Sequence, residues 1–152
     1  MALFRDDRQT ALDDCIVSCK DAAIQYEEAA GIVDDAQLSV LFKELAGLRR
    51  EMAAELERHL RKLGDVPSDP DTDSEAAREL FLRIKTALSE NQRITLLNDR
   101  ERAEGELVNC FQAALQTNLP KEACGILKRF CSDSMAARAR LAEARATLQA
   151  ES

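Results

Sequence analysis

Apolar residues recur every three or four positions along most of the chain, a spacing that predicts long amphipathic helices rather than strands. The first helix is predicted to begin at Asp6, which can form a capping box with Gln9, and to end near Gly31. The second is predicted to start after Asp34 and to close at Gly64. Their predicted buried positions are Leu12, Cys15, Cys19, Ala23, Tyr26 and Ala30, then Leu38, Leu41, Leu45, Leu48, Met52, Leu56, His59 and Leu63.

The second half of the chain, after an acidic loop at residues 65 to 73, is also predicted to be helical. A short helix is predicted from about residue 74 to 89, and a capping signal at Ser89 then starts a long helix that ends near Asn118. Pro120 is predicted to take the first position of the last helix, which continues almost to the end of the chain. Its predicted buried positions are Ile126, Phe130, Ser134, Ala137, Leu141, Ala144 and Leu148.

These elements predict an all-α fold of one domain, residues 1–152, with the arrangement of a ferritin-like four-helix bundle. Tight connections near Gly31 and Pro120 form two antiparallel hairpins, and the long middle crossover carries the short fifth helix. A crossover of that length leads back along the bundle, so the second and third long helices are expected to run parallel.

Composition agrees with this fold and narrows the class of protein. Hydrophobic residues make up 45% of the chain and aromatics only 4%, a mixture typical of helical bundles. The net charge of -7 argues against nucleic acid as a partner. The sequence contains neither a membrane-spanning apolar run nor a signal peptide, so we expect a cytoplasmic protein that does not enter a membrane. Five cysteines without a CxxC spacing are expected to be reduced.

The most informative stretch lies in the third long helix, where Glu104 interrupts an apolar stripe. Glu101 lies one turn earlier, near the same line. The apolar neighbours on that stripe are Ile94, Leu97, Val108, Phe111 and Leu115. A carboxylate on a buried face needs a cation or a metal ion as its partner, because an uncompensated buried charge costs several kcal/mol.

A di-iron centre of the ferritin type requires more ligands than this chain offers. Such centres take a Glu from each of two helices and a Glu-x-x-His from each of the other two. The chain has one histidine, His59, which follows Glu55 by four positions, and the last helix offers only Asp133 near its stripe. Hairpin register also separates Glu27 from Glu55. Asp69, Asp71 and Asp73 have calcium-loop spacing but lack the required Gly and Glu, so a solvated acidic loop is the better interpretation.

Arg49 provides a different partner for the central carboxylates. It lies beside the stripe of the second helix at the level of Glu104, and a guanidinium can neutralise a carboxylate through two parallel hydrogen bonds. We therefore expect Arg49 to pair with Glu104, and also with Glu101, and we expect no cofactor. The alternatives are a Glu104 that reaches solvent at the helix edge, or bound iron or another divalent metal. The full set expected at this buried polar centre is Arg49, Glu101, Glu104, Ser134, Cys15 and Cys19.

Several of these residues also carry a resemblance to a known family. The segments 48–50 and 60–64, the Pro-containing loop, Glu101-Arg102-Ala103-Glu104 and Leu119-Pro120 resemble a bacterial family of ferritin-like four-helix-bundle proteins classed as a domain of unknown function. The likeness extends from residue 8 to about 148. It implies a small cytoplasmic protein, linked in some members to stress, and implies no particular reaction. Asn109-Cys110-Phe111 departs from the family pattern, in which an aromatic is expected near Asn109.

Two functions remain open from the sequence. The first is a non-enzymatic bundle without a di-iron site that acts through assembly or partner binding. A homodimer is favoured because the outer faces carry Val17, Ile24, Cys110 and Cys124. The second is a divergent metal-binding or redox protein that uses Glu101 and Glu104 together with Glu27 or Cys19.

Overall fold

The computed structural model describes residues 5–69 and 88–151, and within these ranges the regular secondary structure is all α-helix, joined by short connections. The helices are α1 (Asp7–Ile32), α2 (Ala36–Lys62), α3 (Glu90–Leu115) and α4 (Lys121–Ala150). The prediction of an all-α four-helix architecture is confirmed. The predicted short helix between residues 74 and 89 and the aspartates at 71 and 73 lie outside the described residues, except for the end of that helix.

Two of the predicted helix starts are confirmed in detail. Asp6 accepts a hydrogen bond from the Gln9 backbone N–H while the Gln9 side chain accepts one from the Asp6 backbone. Ser89 and Gln92 form the same reciprocal pair at the start of α3. Each capping box satisfies backbone donors that the first turn of a helix leaves unpaired.

Three other boundaries differ from the prediction by one to three residues. The cap of α2 is Asp35 rather than Asp34, because the Asp35 carboxylate accepts hydrogen bonds from the backbone N–H groups at 37 and 38. Helix α3 ends at Leu115 rather than near Asn118. Pro120 has an extended ψ of 150° and precedes α4 instead of forming its first residue.

Side-chain contacts establish the directions of the helices. Helices α1 and α2 form one antiparallel hairpin, and α3 and α4 form the other. Cys15 contacts Cys110 while Tyr26 contacts Glu104, so α1 and α3 are antiparallel. Because α2 also runs against α1, α2 and α3 run in the same direction. Among the described helices, none has an apolar run long enough to cross a bilayer.

The interior contains two hydrophobic clusters stacked along the bundle axis. One is built around Leu12, Leu56, Phe111 and Leu127, and the other around Phe42, Leu97 and Leu141. Each of α2, α3 and α4 carries a buried polar residue between its contributions to the two clusters. These residues are Arg49, Glu104 and Ser134. Buried polar side chains therefore occupy the middle of the bundle.

The buried face of α2 includes five of the eight predicted positions and extends one residue beyond the predicted stripe. The five are Leu38, Leu45, Met52, Leu56 and His59. Leu48 is 40% exposed and Leu41 and Leu63 are only partly buried, whereas Phe42 and Leu60 are fully buried. This wider face includes Arg49, which the prediction placed beside the stripe and which is 1% exposed.

Candidate functional site

The middle of the bundle contains a buried ion pair between α2 and α3. The Arg49 Nε donates a hydrogen bond to Glu104 Oε2 at 3.0 Å, and Arg49 Nη2 donates to Glu104 Oε1. Each side chain is 1% exposed. Two parallel hydrogen bonds between a planar guanidinium and a carboxylate fix the orientation of both groups as well as neutralising them.

A third residue, Tyr26 of α1, completes the hydrogen bonding of this carboxylate. Its hydroxyl donates to Glu104 Oε2 at 3.0 Å, so that oxygen accepts from two helices at once. Arg49 Nη1 also contacts the Met52 sulfur at 3.3 Å. The centre therefore joins α1, α2 and α3, and each partner restricts the rotamers of the others.

The tyrosine ring is itself held between an aromatic ring and a second arginine. Its centroid is 6.1 Å from that of Phe42, and the Arg100 guanidinium carbon lies 5.6 Å from it. Arg100 is 5% exposed and donates to Asp99 at 3.1 Å. The apolar periodicity predicts Tyr26 in the core, but it does not reveal the hydroxyl as a donor to Glu104, and it does not predict a buried Arg100. The position of Arg100 four residues before Glu104 was the available signal.

Burial and neighbouring charges raise the pKa values of Tyr26, Arg49 and Cys19. Burial, reinforced by the negative charge of Glu104, raises the pKa of Tyr26 well above its usual value. Burial opposes the charge on Arg49, but the Glu104 carboxylate more than compensates and raises the Arg49 pKa. Burial raises the pKa of the Cys19 thiol to about 12. The centre is thus a neutral ion pair with a protonated phenol and a protonated thiol nearby.

Glu101 does not join this centre. Its carboxylate accepts from Arg145 of α4, which also donates to the Asn98 side chain at 2.7 Å, and its side chain is 22% exposed. Three residues along a helix leave Glu101 about 60° away from the direction of Glu104. This difference places Glu101 at the α3–α4 surface and not against Arg49.

Two other expected members of the centre have different surroundings. Ser134 is fully buried, but its hydroxyl makes no hydrogen bond to any described residue, including Arg49 and Glu104. Cys15 is fully buried and lies against Cys110 rather than against the ion pair. Cys110, expected on an outer face, is half-buried at the α1–α3 contact.

Two other carboxylates considered as metal ligands pair with arginines outside the centre. Glu27 pairs with Arg50, and Glu55 accepts from Arg129 at 2.7 Å. Glu28, the residue after Glu27, is only 9% exposed. His59 is 8% exposed, and burial lowers its pKa.

These residues do not fit a ferritin-type metal centre. A di-metal site needs several carboxylate and imidazole ligands aimed at one point. Here Glu104 is the central carboxylate, and both of its oxygens already accept from the cationic Arg49. Within residues 5–69 and 88–151, no group of three or more His, Cys, Asp or Glu side chains is arranged to hold a metal ion.

An open cleft between α2 and α4 leads from the surface towards this centre. It has a volume of about 290 Å³, and Arg49 contributes to its lining. Its apolar lining includes Leu45, Leu48, Met52, Phe130 and Ala137. Charges of both signs lie around it, with Glu51, Asp133, Arg129 and Arg140 among them.

Comparison with known proteins assigns the chain to a family without assigning it a chemistry. A family model described as a domain of unknown function, DUF2383, matches residues 7–117, which contain α1, α2, α3 and therefore every member of the Arg49–Glu104–Tyr26 group. No curated protein matches the sequence. The match covers well over half of the chain, and the protein therefore belongs to the DUF2383 family.

Proposed function

We propose that this protein is a non-enzymatic, ferritin-like bundle of one domain that works in the cytoplasm through assembly rather than through a di-iron centre. The observation that carries the proposal is the pairing of Arg49 with Glu104 in the middle of the bundle. The guanidinium supplies the positive charge that a metal ion supplies in ferritin-like relatives. The polar interior then serves to orient three helices and needs no ion.

The directions of the helices support the ferritin-like part of this proposal. Two antiparallel hairpins in which α2 and α3 run parallel require a long connection between the hairpins, as in ferritin-like folds. The connection between Lys62 and Glu90 has the necessary length. A polar group at mid-bundle also occupies the level at which such folds place their metal ligands.

The α2–α4 cleft is the surface that we assign to assembly, with a second copy of this chain as its occupant. Its exposed apolar residue is Leu48, and its rim carries both signs of charge, including Glu51 and Arg129. An interface with two-fold symmetry brings one patch against the same patch, so the patch must be complementary to itself. A mixed-charge rim around an apolar floor meets that requirement, whereas a rim of one sign would repel its copy.

Measuring the mass in solution tests the assembly. The parent chain should have twice the 16.9 kDa mass of one chain, and Leu48→Glu should shift it towards the monomer. Val66→Glu is the matched control, because Val66 is 71% exposed and lies outside the cleft. A parent chain that is monomeric at all concentrations, or a dimer that Leu48→Glu leaves intact, would contradict this assignment.

Exposure to ferrous iron in air tests the absence of a di-iron function. We expect the purified protein to retain no stoichiometric iron and to develop no ferric absorption band. The alternative is a divergent metal-binding or redox protein that uses Glu101, Glu104 and Glu27 or Cys19. Stoichiometric metal with a ferric chromophore would establish that alternative and overturn the proposal.

A further inference from the structure

Two cysteines from different hairpins meet at the α1–α3 contact. The Sγ atoms of Cys15 and Cys110 lie 3.4 Å apart, although 95 residues separate them in the chain. Cys15 Sγ is also 3.4 Å from the backbone oxygen of Cys110, so the α3 backbone closely approaches α1 at this point. Cys15 is fully buried, whereas Cys110 is half-buried at the edge of the same hydrophobic cluster.

The two thiols differ in their readiness to ionise. The hydrogen bond shared with Cys15 lowers the pKa of Cys110, and the Ser18 hydroxyl, whose Oγ lies 4.0 Å from Cys110 Sγ, acts in the same direction. Burial and the charge of Asp14 oppose this shift without reversing it. The same shared hydrogen bond, with burial, strongly raises the pKa of Cys15. Cys110 is also the more accessible of the two thiols, so it is the one that an oxidant reaches and that acts as the nucleophile.

The separation of the sulfurs suits disulfide formation. A disulfide bond is about 2.0 Å long, so the sulfurs must approach by roughly 1.4 Å in total, a movement that small side-chain rotations provide when the backbones are close. A partly accessible attacking thiol next to a second, resolving thiol is the arrangement found at reversible redox sites.

We propose that Cys110 and Cys15 form a site of reversible oxidation by hydrogen peroxide, at which the two thiols become a disulfide between α1 and α3. The Cys110 thiolate attacks one peroxide oxygen: an S–O bond forms, the O–O bond breaks, and hydroxide leaves to take up a proton as water. Cys15 sulfur then attacks the Cys110 sulfenic acid: the S–S bond forms, the S–O bond breaks, and the leaving hydroxide takes the Cys15 proton. Two thiols lose two electrons in total, and one peroxide yields two waters.

The other described cysteines provide internal comparisons. Cys19 is fully buried, and burial raises the pKa of its thiol to about 12. Burial also raises the pKa of Cys131, and Cys124 Sγ contacts the Leu119 carbonyl at 3.7 Å. Among these residues, only Cys110 combines a lowered pKa, partial exposure and a second sulfur in contact. The proposal does not depend on the function proposed above.

Mass spectrometry after mild oxidation tests the site. The reduced full-length chain is treated with one equivalent of hydrogen peroxide, its free thiols are alkylated, and the disulfides are mapped. We expect one intramolecular link, between peptides containing Cys15 and Cys110, that dithiothreitol reverses. Trypsin leaves Cys15 and Cys19 on one peptide, residues 9–20, so fragment ions between these two positions must assign the partner of Cys110.

Variants separate the attacking from the resolving thiol. Cys15→Ser, which keeps a hydrogen-bond donor beside Cys110, should leave Cys110 as a sulfenic acid that dimedone traps, and Cys110→Ala should abolish both the disulfide and the dimedone adduct. Cys131→Ala, the matched control, should form the disulfide as the parent does. Circular dichroism verifies that each variant is folded. If a variant does not fold, the disulfide mapping of the parent chain decides whether Cys15 and Cys110 are linked. A first disulfide that excludes Cys110, joins two chains, or forms equally in Cys110→Ala would overturn the proposal.

Discussion

Adjacent arginines on α2 form the same kind of ion pair in two different environments. Arg49 turns inward to Glu104 of the opposite hairpin, and both side chains are 1% exposed. Arg50 turns outward to Glu27 of the same hairpin, and these side chains are 52% and 50% exposed. Both pairs join a guanidinium to a carboxylate, and they differ most in how far they are buried.

Burial makes the inner pair a constraint on the fold and leaves the outer pair nearly without consequence. Water already solvates Arg50 and Glu27, so breaking their contact costs little. Neither partner of the inner pair can return to water without opening the bundle, and a charge left alone there is uncompensated. Arg49 and Glu104 therefore fix how the two hairpins pack together, whereas the outer pair lies on the surface of one hairpin.

The largest expected effect is that of Arg49→Ala. This substitution should lower the free energy of unfolding by about 3–5 kcal/mol, because it strands the Glu104 carboxylate in the interior. Arg50→Ala is the matched control and should cost at most about 1 kcal/mol. Urea denaturation followed by circular dichroism measures both. Equal midpoints for the two variants would remove the distinction between the pairs.

A smaller loss is expected from Tyr26→Phe. This change deletes the hydroxyl that donates to Glu104 Oε2 and keeps the ring that packs on Phe42. Hydrogen bonds to charged groups contribute about 1.5–3 kcal/mol, so the unfolding free energy should fall by that amount. The same denaturation experiment provides the value, and a stability equal to that of the parent would mean that the hydroxyl contributes nothing.

Tyrosine absorption gives a spectroscopic view of the inner pair. The chain contains one tyrosine and no tryptophan, so ultraviolet absorption reports on Tyr26 alone. Because burial and Glu104 raise its pKa, the folded protein should show no tyrosinate band near pH 10, where a free tyrosine is half ionised. The band should appear only on alkaline unfolding. A reversible titration near pH 10 in the folded protein would show a solvated hydroxyl instead.

The smallest expected effect concerns Glu28, a buried carboxylate that lacks an arginine partner of the kind that Glu104 has. Its Oε2 has no hydrogen-bond donor among the described residues, and burial raises its pKa despite the opposing charge of Arg100. A raised folded-state pKa favours the neutral form. The stability that the folded protein gains from protonated Glu28 is therefore complete at pH values below the unfolded-state pKa of about 4.3. It is lost as the pH rises through the folded-state pKa of Glu28.

Replacing Glu28 by Gln should remove this pH dependence. The variant should match the parent below pH 4 and exceed its stability at pH 7, as measured by thermal unfolding across that range. A parent that gains stability relative to the variant as pH rises would reverse the assigned sign.

The sequence was sufficient for the four described helices and their order because capping residues and periodicity are local. Asp6 with Gln9 and Ser89 with Gln92 start helices where predicted. The Arg49–Glu104 pair could also be predicted, because Glu104 interrupts an apolar stripe and hairpin register brings Arg49 to its level. The structure places the two side chains in contact.

Rotation of each helix about its own axis was harder to obtain from the sequence. Leu48 was predicted to be buried although it is 40% exposed, and Glu101 was assigned to the interior although Arg145 holds it at the surface. The Tyr26 hydroxyl and the contact of Cys15 with Cys110 depend on packing between hairpins, which no local pattern encodes.

A double-mutant cycle on Arg49 and Glu104 tests the central claim most directly. Unfolding free energies are compared for the parent, Arg49→Met, Glu104→Leu and the double variant. If the pair is mutually compensating, the double variant will be more stable than either single variant, because it leaves no buried charge unpaired. Losses that simply add would contradict the account, since they would show that each side chain contributes independently of the other.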